Sequence, residues 1–477
     1  MKRITLLLGI LMTTVVVFSQ DYNYQFRLIL TDKGQSPYSI DKPEEFLSRK
    51  ALERRQRQGI AIDESDLPIS QEYIDKIEDL NAVVIAKSKW LKTLTVHCPD
   101  STMVDKLKEL PFVSDAVFVW KGIMKETRPD SLVYYPAKEE VLFGNHYGKG
   151  DINIKLNNGQ YLHEAGFRGE GIDIAVIDGG FNHLPQIEML DNVNVKGSKG
   201  FIYKFENLFE SAGQHGLNVL SCIGANKPMQ FVGTAPEASF WLFSSEDTRS
   251  EFPVEEDYWT AAIEYADSVG VDVVNTSLGY NNFDKPAKSY THADLDGKTA
   301  FITRAADKAA QKGMLLVISA GNSGNSEWRK ITPPSDAANV LTMGAVMPDS
   351  VVARFSSRGM TADLRVKPDV MALGVSATVV RDNGQIGKSS GTSFSSPIMC
   401  GMVACLWQGF PTLTNKEILE VVRESSDRYE KFNEDYGYGI PDMKKAMELA
   451  QVIADKKQAL KQDKVKDNSK PAKKSKK

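Results

Sequence analysis

Short alternating runs of apolar and polar positions mark the first quarter of the chain, and near-continuous apolar runs mark most of the remainder. Tyr24–Leu30 alternates like a half-buried strand, Gln71–Leu80 has helical spacing, and Ala82–Lys87 and Leu91–His97 alternate again. Ser101–Leu110 predicts a second helix and Val113–Trp120 a last strand, so residues 21–120 have the β-α-β-β-α-β order of a small α+β domain. The inserted Pro43–Gln58, rich in Arg and Glu, reads as an extra helix facing solvent. Between 121 and 150, Pro, Asp, Tyr and Gly break every period and predict an exposed linker.

From about Asp151 to 450, Ile172–Ile177, Val271–Asn275, Met314–Ser319 and Val340–Val346 are apolar runs separated by helix-like stretches. Strands of this kind are buried on both faces, which predicts an α/β fold: a mostly parallel central sheet with helices on both faces. Ligand sites in such sheets lie at the carboxyl ends of the strands, here Asp178, Asn275–Gly279 and Gly321-Asn322. Residues 451–477 are Lys-rich without an apolar period and predict a disordered tail.

Hydrophobic content of 42% and charged content of 25% fit a folded chain. The total charge is −4, but residues 456–477 hold ten Lys against Asp463 and Asp467, a net +8 that leaves residues 1–455 at −12. An acidic body argues against nucleic acid as a partner. Met1–Gln20 runs from Lys2-Arg3 through apolar Ile4–Phe18 to Ser19-Gln20, the order of a signal peptide. Its apolar part is shorter than the roughly 20 residues a spanning helix needs, so the expectation is export to the periplasm or beyond, without a transmembrane anchor. Cys98, Cys222, Cys400 and Cys405 are too scattered for a disulfide framework or a zinc site and read as buried thiols.

Four positions carry chemistry. Asp178 ends a buried strand, His215-Gly216 opens an apolar helix, Asn322 follows a strand in Ser319-Ala-Gly-Asn-Ser-Gly, and Ser393 lies in Gly391-Thr-Ser-Phe-Ser-Ser-Pro397 before a long helix. Each alone reads as a cap or a turn residue. Together they read as nucleophilic acyl transfer: a serine hydroxyl needs an imidazole to take its proton, and that imidazole needs a carboxylate to hold its tautomer. The Asn322 amide and the Ser393 N–H at a helix start would serve the oxyanion.

These residues make the chain similar to the subtilisin-like (subtilase) serine proteases over about 150–450. The motifs are AVIDGG (Ala175–Gly180), His215-Gly216, NTSLG (Asn275–Gly279), SAGNSG (Ser319–Gly324), KPDV (Lys367–Val370), GTSFSSP (Gly391–Pro397) and GYGIPD (Gly437–Asp442). The resemblance implies a subtilisin-like fold, a triad of Asp178, His215 and Ser393, and Asn322 as the oxyanion side chain. It further implies that Ser277, Leu278 and Gly279 pair with an extended protein or peptide substrate. Two departures are Gly179 after the Asp and Leu217-Asn218 after His215-Gly216, which put the wall beside the His in doubt, while Tyr280 would narrow the cleft edge. Residues 21–120 resemble the family's propeptide, which implies a secreted serine endopeptidase made as a self-inhibited precursor and cut within 121–150. No cofactor is required for the chemistry. The resemblance allows structural calcium, but no Asp-rich EF-hand loop occurs and no metal ligand is assigned. The rival functions are a catalytically silent protein-binding scaffold, a retained binding module at 21–120, and an esterase of α/β-hydrolase type, which wants G-x-S-x-G with its His last.

Overall fold

The computed structural model describes residues 22–123, 142, 144–204, 207–210 and 213–468, with side chains to 463. The signal-peptide segment, most of the linker and the last nine residues lie outside the described residues. The first domain holds β1 (Asn23–Leu30), α1 (Arg49–Gln58), α2 (Gln71–Glu78), β2 (Val83–Ser88), β3 (Thr93–Cys98), α3 (Met103–Lys108) and β4 (Val113–Gly122). Its four strands form an antiparallel sheet in the order β2-β3-β1-β4, as the alternation predicts.

The second domain begins with short helices α4 (Asp151–Lys155) and α5 (Gln160–Glu164), then β5 (Asp173–Asp178), β6 (Asn194–Gly200) and α6 (His215–Gly224). A two-residue hairpin pair, β7 (Asn226–Lys227) and β8 (Phe231–Val232), leads to β9 (Ser239–Ser244), α7 (Val254–Val269), β10 (Val273–Thr276), α8 (Phe301–Gln311) and β11 (Leu315–Ser319). Then come β12 (Leu341–Val346), β13 (Val370–Leu373), the hairpin β14 (Ala377–Val380) and β15 (Ile386–Ser389), and helices α9 (Thr392–Gly409), α10 (Asn415–Glu424) and α11 (Met443–Asn468). The large sheet runs β13-β12-β11-β10-β5-β9-β6, and every pairing in it is parallel. Helices α6 and α9 bury their apolar faces on one side of it and α7 and α8 on the other. That is the expected α/β architecture, and β11, β10 and β5 lie side by side at its centre.

Three expectations need correction. Helix α1 does not face solvent: Arg54 and Arg55 are each 1% exposed, because α1 docks on α7. Arg55 donates to Asp267 at 2.7 Å and to Asp66 at 3.1 Å, and Arg54 donates to Asp267 and to the Val271 carbonyl. An arginine-rich face reads as solvated unless the shared partner carboxylate, Asp267, more than 200 positions away, is known. The exposed linker ends early, since Tyr147 is buried and Gly148 bridges to Phe231. The tail is not disordered from 451: α11 continues to Asn468, with Lys457 paired to Glu417 and donating to the Thr412 carbonyl at 2.9 Å. The four cysteines are buried and free, as expected, and burial pushes Cys98 up to about 12.

The rest of α7 completes the domain contact. Asp257 accepts from Arg27 Nε at 2.7 Å and from Thr95 Oγ1 at 2.7 Å. Glu264 accepts from the Lys89 and Trp90 N–H groups at 2.9 and 3.1 Å. Breaking a buried ion pair costs about 3–5 kcal/mol because the partner charge is left uncompensated. Asp267→Ala leaves Arg54 without a carboxylate and Arg55 with Asp66 alone, and in the full-length chain it is expected to lower urea-unfolding stability by about that amount. A change below about 1 kcal/mol would show that these arginines are compensated by other groups.

Candidate active site

Parallel register brings the predicted residues together. Thr276 stands opposite Ile177 on one side and Ile318 on the other, so Asp178, Ser277 and Ser319 emerge at one level from three neighbouring strands. Helices α6 and α9 start at the same edge and deliver His215 and Ser393. All seven residues singled out from the sequence, Asp178, His215, Ser277, Leu278, Gly279, Asn322 and Ser393, line one cleft of about 630 Å³.

Asp178 is fully buried, and its Oδ1 faces His215 Nδ1 at 2.7 Å while accepting from the Gly179 N–H at 2.8 Å. The end of β9 secures this turn: the Ser245 N–H donates to the Asp178 carbonyl at 3.1 Å, and Ser244 Oγ to the Gly179 carbonyl at 2.8 Å. Gly216 is required by close approach, since a Cβ there would lie 2.7 Å from the Gly180 carbonyl oxygen and 3.0 Å from Asp178 Cβ. The His215 side chain keeps 41% of its surface open along the cleft although protein packs around the rest of the ring. The Asp178 carboxylate raises the His215 pKa against the opposing effect of burial, and Glu246 adds to the rise.

Ser393 is the second residue of α9, where first-turn N–H groups lack intrahelical acceptors. Its Oγ lies 3.4 Å from the Ser277 carbonyl, and among the described residues no hydrogen bond joins it to His215. Serine–imidazole bonds are often long or absent without substrate. Phe394 packs on the His215 ring at 5.9 Å between centroids. Asn275 braces the helix start, donating to Ser277 Oγ at 3.1 Å and accepting from Ser396 Oγ at 2.8 Å, while Ser277 Oγ donates to the Ser393 carbonyl at 2.9 Å. Asn322 Oδ1 accepts from the Thr392 N–H at 2.9 Å and from Thr392 Oγ1 at 3.0 Å, which turns its Nδ2 away from Thr392. The backbone groups of Leu278 and Gly279 bond to no other described residue. A Cβ at Gly279 would meet Thr332 Oγ1 at 2.3 Å, so only glycine fits there.

Two doubts about the walls resolve. Leu217 and Asn218 are buried and do not line the cleft. Tyr280 is 1% exposed, and its hydroxyl donates to Glu246 Oε2 at 3.2 Å. Glu246 and Glu251 also line the cleft, with Glu255 behind them, and one carboxylate atom of each lies within 4.8 Å of the others. Sequence reasoning missed this trio. The signal was available as three Glu at spacings of five and four directly after a strand's carboxyl end. Its span suits two oxygens across a calcium ion, but calcium takes six to eight oxygens and the trio offers three carboxylates.

A serine at a helix N-terminus, in one cleft with an imidazole held by a buried carboxylate, is an arrangement that suits a serine hydrolase on a doubly wound sheet. The chain matches the Subtilase family over residues 169–439 and the Bacteroidota propeptide domain of Peptidase S8 over residues 25–131. It is 28% identical to Subtilisin E of Bacillus subtilis over 327 residues, 68% of this chain and 77% of the relative. It is 29% identical to a subtilisin of Bacillus pumilus over 288 residues, 60% and 94% of the two chains, and 28% identical to the B. subtilis serine protease AprX over 307 residues, 57% and 64%. The chain belongs to the subtilase family: it is a subtilisin-like serine endopeptidase made as a precursor, with a propeptide domain ahead of the protease domain. Catalysis in this family needs no cofactor.

Proposed function

We propose that Ser393, His215 and Asp178 are the nucleophile, the general base and the orienting carboxylate of peptide-bond hydrolysis. The observation that carries this reading is the 2.7 Å Asp178–His215 contact in a cleft that also holds Ser393 and Asn322. The Ser393 hydroxyl leaves the Ser277 carbonyl, gives its proton to His215 Nε2 and attacks the substrate carbonyl. Asn322 Nδ2 and the Ser393 N–H receive the oxyanion. His215, held as imidazolium by Asp178, then protonates the leaving amine, and water admitted to the same position releases the acyl group. The unpaired backbone of Leu278 and Gly279 takes the substrate as an added strand.

In this reading residues 1–20 direct export to the periplasm or medium, 21–120 inhibit the enzyme until it is cut, and the cut falls within 121–150. Among the described residues no helix is long and apolar enough to cross a membrane. A silent scaffold has no use for an imidazole and carboxylate paired beside a serine, and the α/β-hydrolase reading fails on chain order. The test is casein hydrolysis by purified protein, expected to be abolished by a serine-directed phosphonate. His215 must be unprotonated to accept the Ser393 proton, so kcat/KM is expected to fall as pH drops through a value above the ordinary 6.5 of imidazole. Casein hydrolysis that survives the phosphonate would remove the assignment of Ser393.

A further inference from the structure

We propose that Glu246 and Glu251 make the cleft selective for substrates that carry a lysine or arginine side chain next to the scissile bond. The inference rests on the protease reading above and names its substrate class. Asp178, Glu246 and Glu251 are the acidic residues lining the cleft, and none of its twenty lining residues is Lys or Arg. Asp178 is committed to His215, which leaves the two glutamates facing the substrate.

The trio is poorly satisfied by the protein around it. Glu255 is 1% exposed, and although its Oε1 accepts from the Asp247 N–H at 2.7 Å, its buried Oε2 meets no donor among the described residues. Glu246 receives one hydroxyl, from Tyr280, and its remaining side-chain contact is with the Glu255 carboxyl, which brings no cation. Arg249, the nearby cation, is held by both oxygens of Asp247 at 2.6 and 2.7 Å. Burial raises all three carboxyls; Glu246 and Glu255 also act on each other, and Glu251, with Glu246 and Asp284 adding to the rise, is pushed up to about 7. Like charges this close favour one added cation among them.

The cleft admits such a cation from the substrate side. Glu246 lies against Gly179, where an added Cβ would stand 3.6 Å from Glu246 Cβ, and so next to the Asp178–His215 pair. A long basic side chain leaving a substrate strand on Leu278-Gly279 would enter between Glu246 and Glu251, its charge facing Glu255 beyond. Leaving those carboxylates unpaired is what rejects a neutral side chain. Calcium at the same place is the competing occupant.

The experiment uses protein expressed as the full-length chain and allowed to mature, titrated with the phosphonate. Fluorogenic peptides carry Lys, Arg, Leu, Gln or Glu at each position flanking the cut. One position should favour Lys or Arg over Leu by about tenfold or more in kcat/KM, and Glu251→Gln and Glu246→Gln should each lower that basic-to-neutral ratio about tenfold. Glu251→Gln, at the outer end of the trio, keeps the test open if Glu246→Gln misfolds. Equal use of basic and neutral peptides by a phosphonate-labelled enzyme overturns the inference alone. A ratio unchanged in both variants does so too, as does a melting temperature raised by calcium chloride in the unaltered protein and not in Glu251→Gln. Failure of both labelling and hydrolysis overturns the protease reading with it.

Discussion

Purified Ser393→Ala is expected to show no hydrolysis above background, a loss of roughly 10⁶-fold in kcat, because the other triad members have nothing to act on once the nucleophile is gone. It is also expected to stay at precursor length. β4 ends at Gly122, and Trp120 Nε1 donates to Ser250 Oγ at 3.3 Å, one residue from the cleft-lining Glu251. The last strand of the propeptide domain therefore ends beside the rim of the cleft, which is the observation behind the expected self-cleavage. The fold should survive, since among the described residues the one hydrogen bond of Ser393 Oγ is the 3.4 Å contact to the Ser277 carbonyl. Electrophoresis and mass measurement of the variant expressed alone give the result. Mature-length protein from pure Ser393→Ala would mean that a different protease performs the cut.

Legibility in the sequence depends on where side chains are buried. Strands β5, β10, β11 and β12 lie in the sheet interior, must be apolar on both faces, and so stand out as runs such as Ile174–Ile177 and Leu315–Ile318. β6, Asn194–Gly200, is one of the sheet's two edge strands, with seven residues of which only Val195 is apolar, and nothing local marks it. The proposed catalytic positions are legible because strand ends and helix starts have little reason to hold Asp, His, Asn and Ser in this order except chemistry. The contact between domains is not legible. Arg54, Arg55, Asp257, Glu264 and Asp267 are charged, and charge normally means solvent, yet each is at most 6% exposed because its partner comes from the other domain. The acidic wall of the cleft escapes for a related reason: Glu246, Glu251 and Glu255 become a group only when the loop after β9 folds back onto the start of α7.

Replacing Asn322 is expected to separate catalysis from binding. The ground-state carbonyl scarcely uses the Nδ2 donor, whereas the developing oxyanion does, so Asn322→Leu should lower kcat by about 10²–10³ and leave KM nearly unchanged. The structure adds a second duty, since Asn322 Oδ1 accepts from both the N–H and the hydroxyl of Thr392, the first residue of α9. Leucine removes that acceptor together with the donor, and Thr392 is fully buried, so part of the loss could arise from a shifted helix start. Asn322→Asp separates the two duties: it keeps an acceptor for Thr392, lacks the amide donor and sets a negative charge against the oxyanion. If stabilisation of the oxyanion is the function, Asp should be at least as damaging to kcat as Leu. If bracing of α9 is the function, Asp should recover most of the activity. Combining Asn322→Leu with Ser393→Ala should cost little beyond Ser393→Ala, because the oxyanion forms only when the serine attacks. A kcat within about threefold of the unaltered enzyme for Asn322→Leu, in protein that still titrates with the phosphonate, would leave Asn322 as a turn residue and require another oxyanion donor.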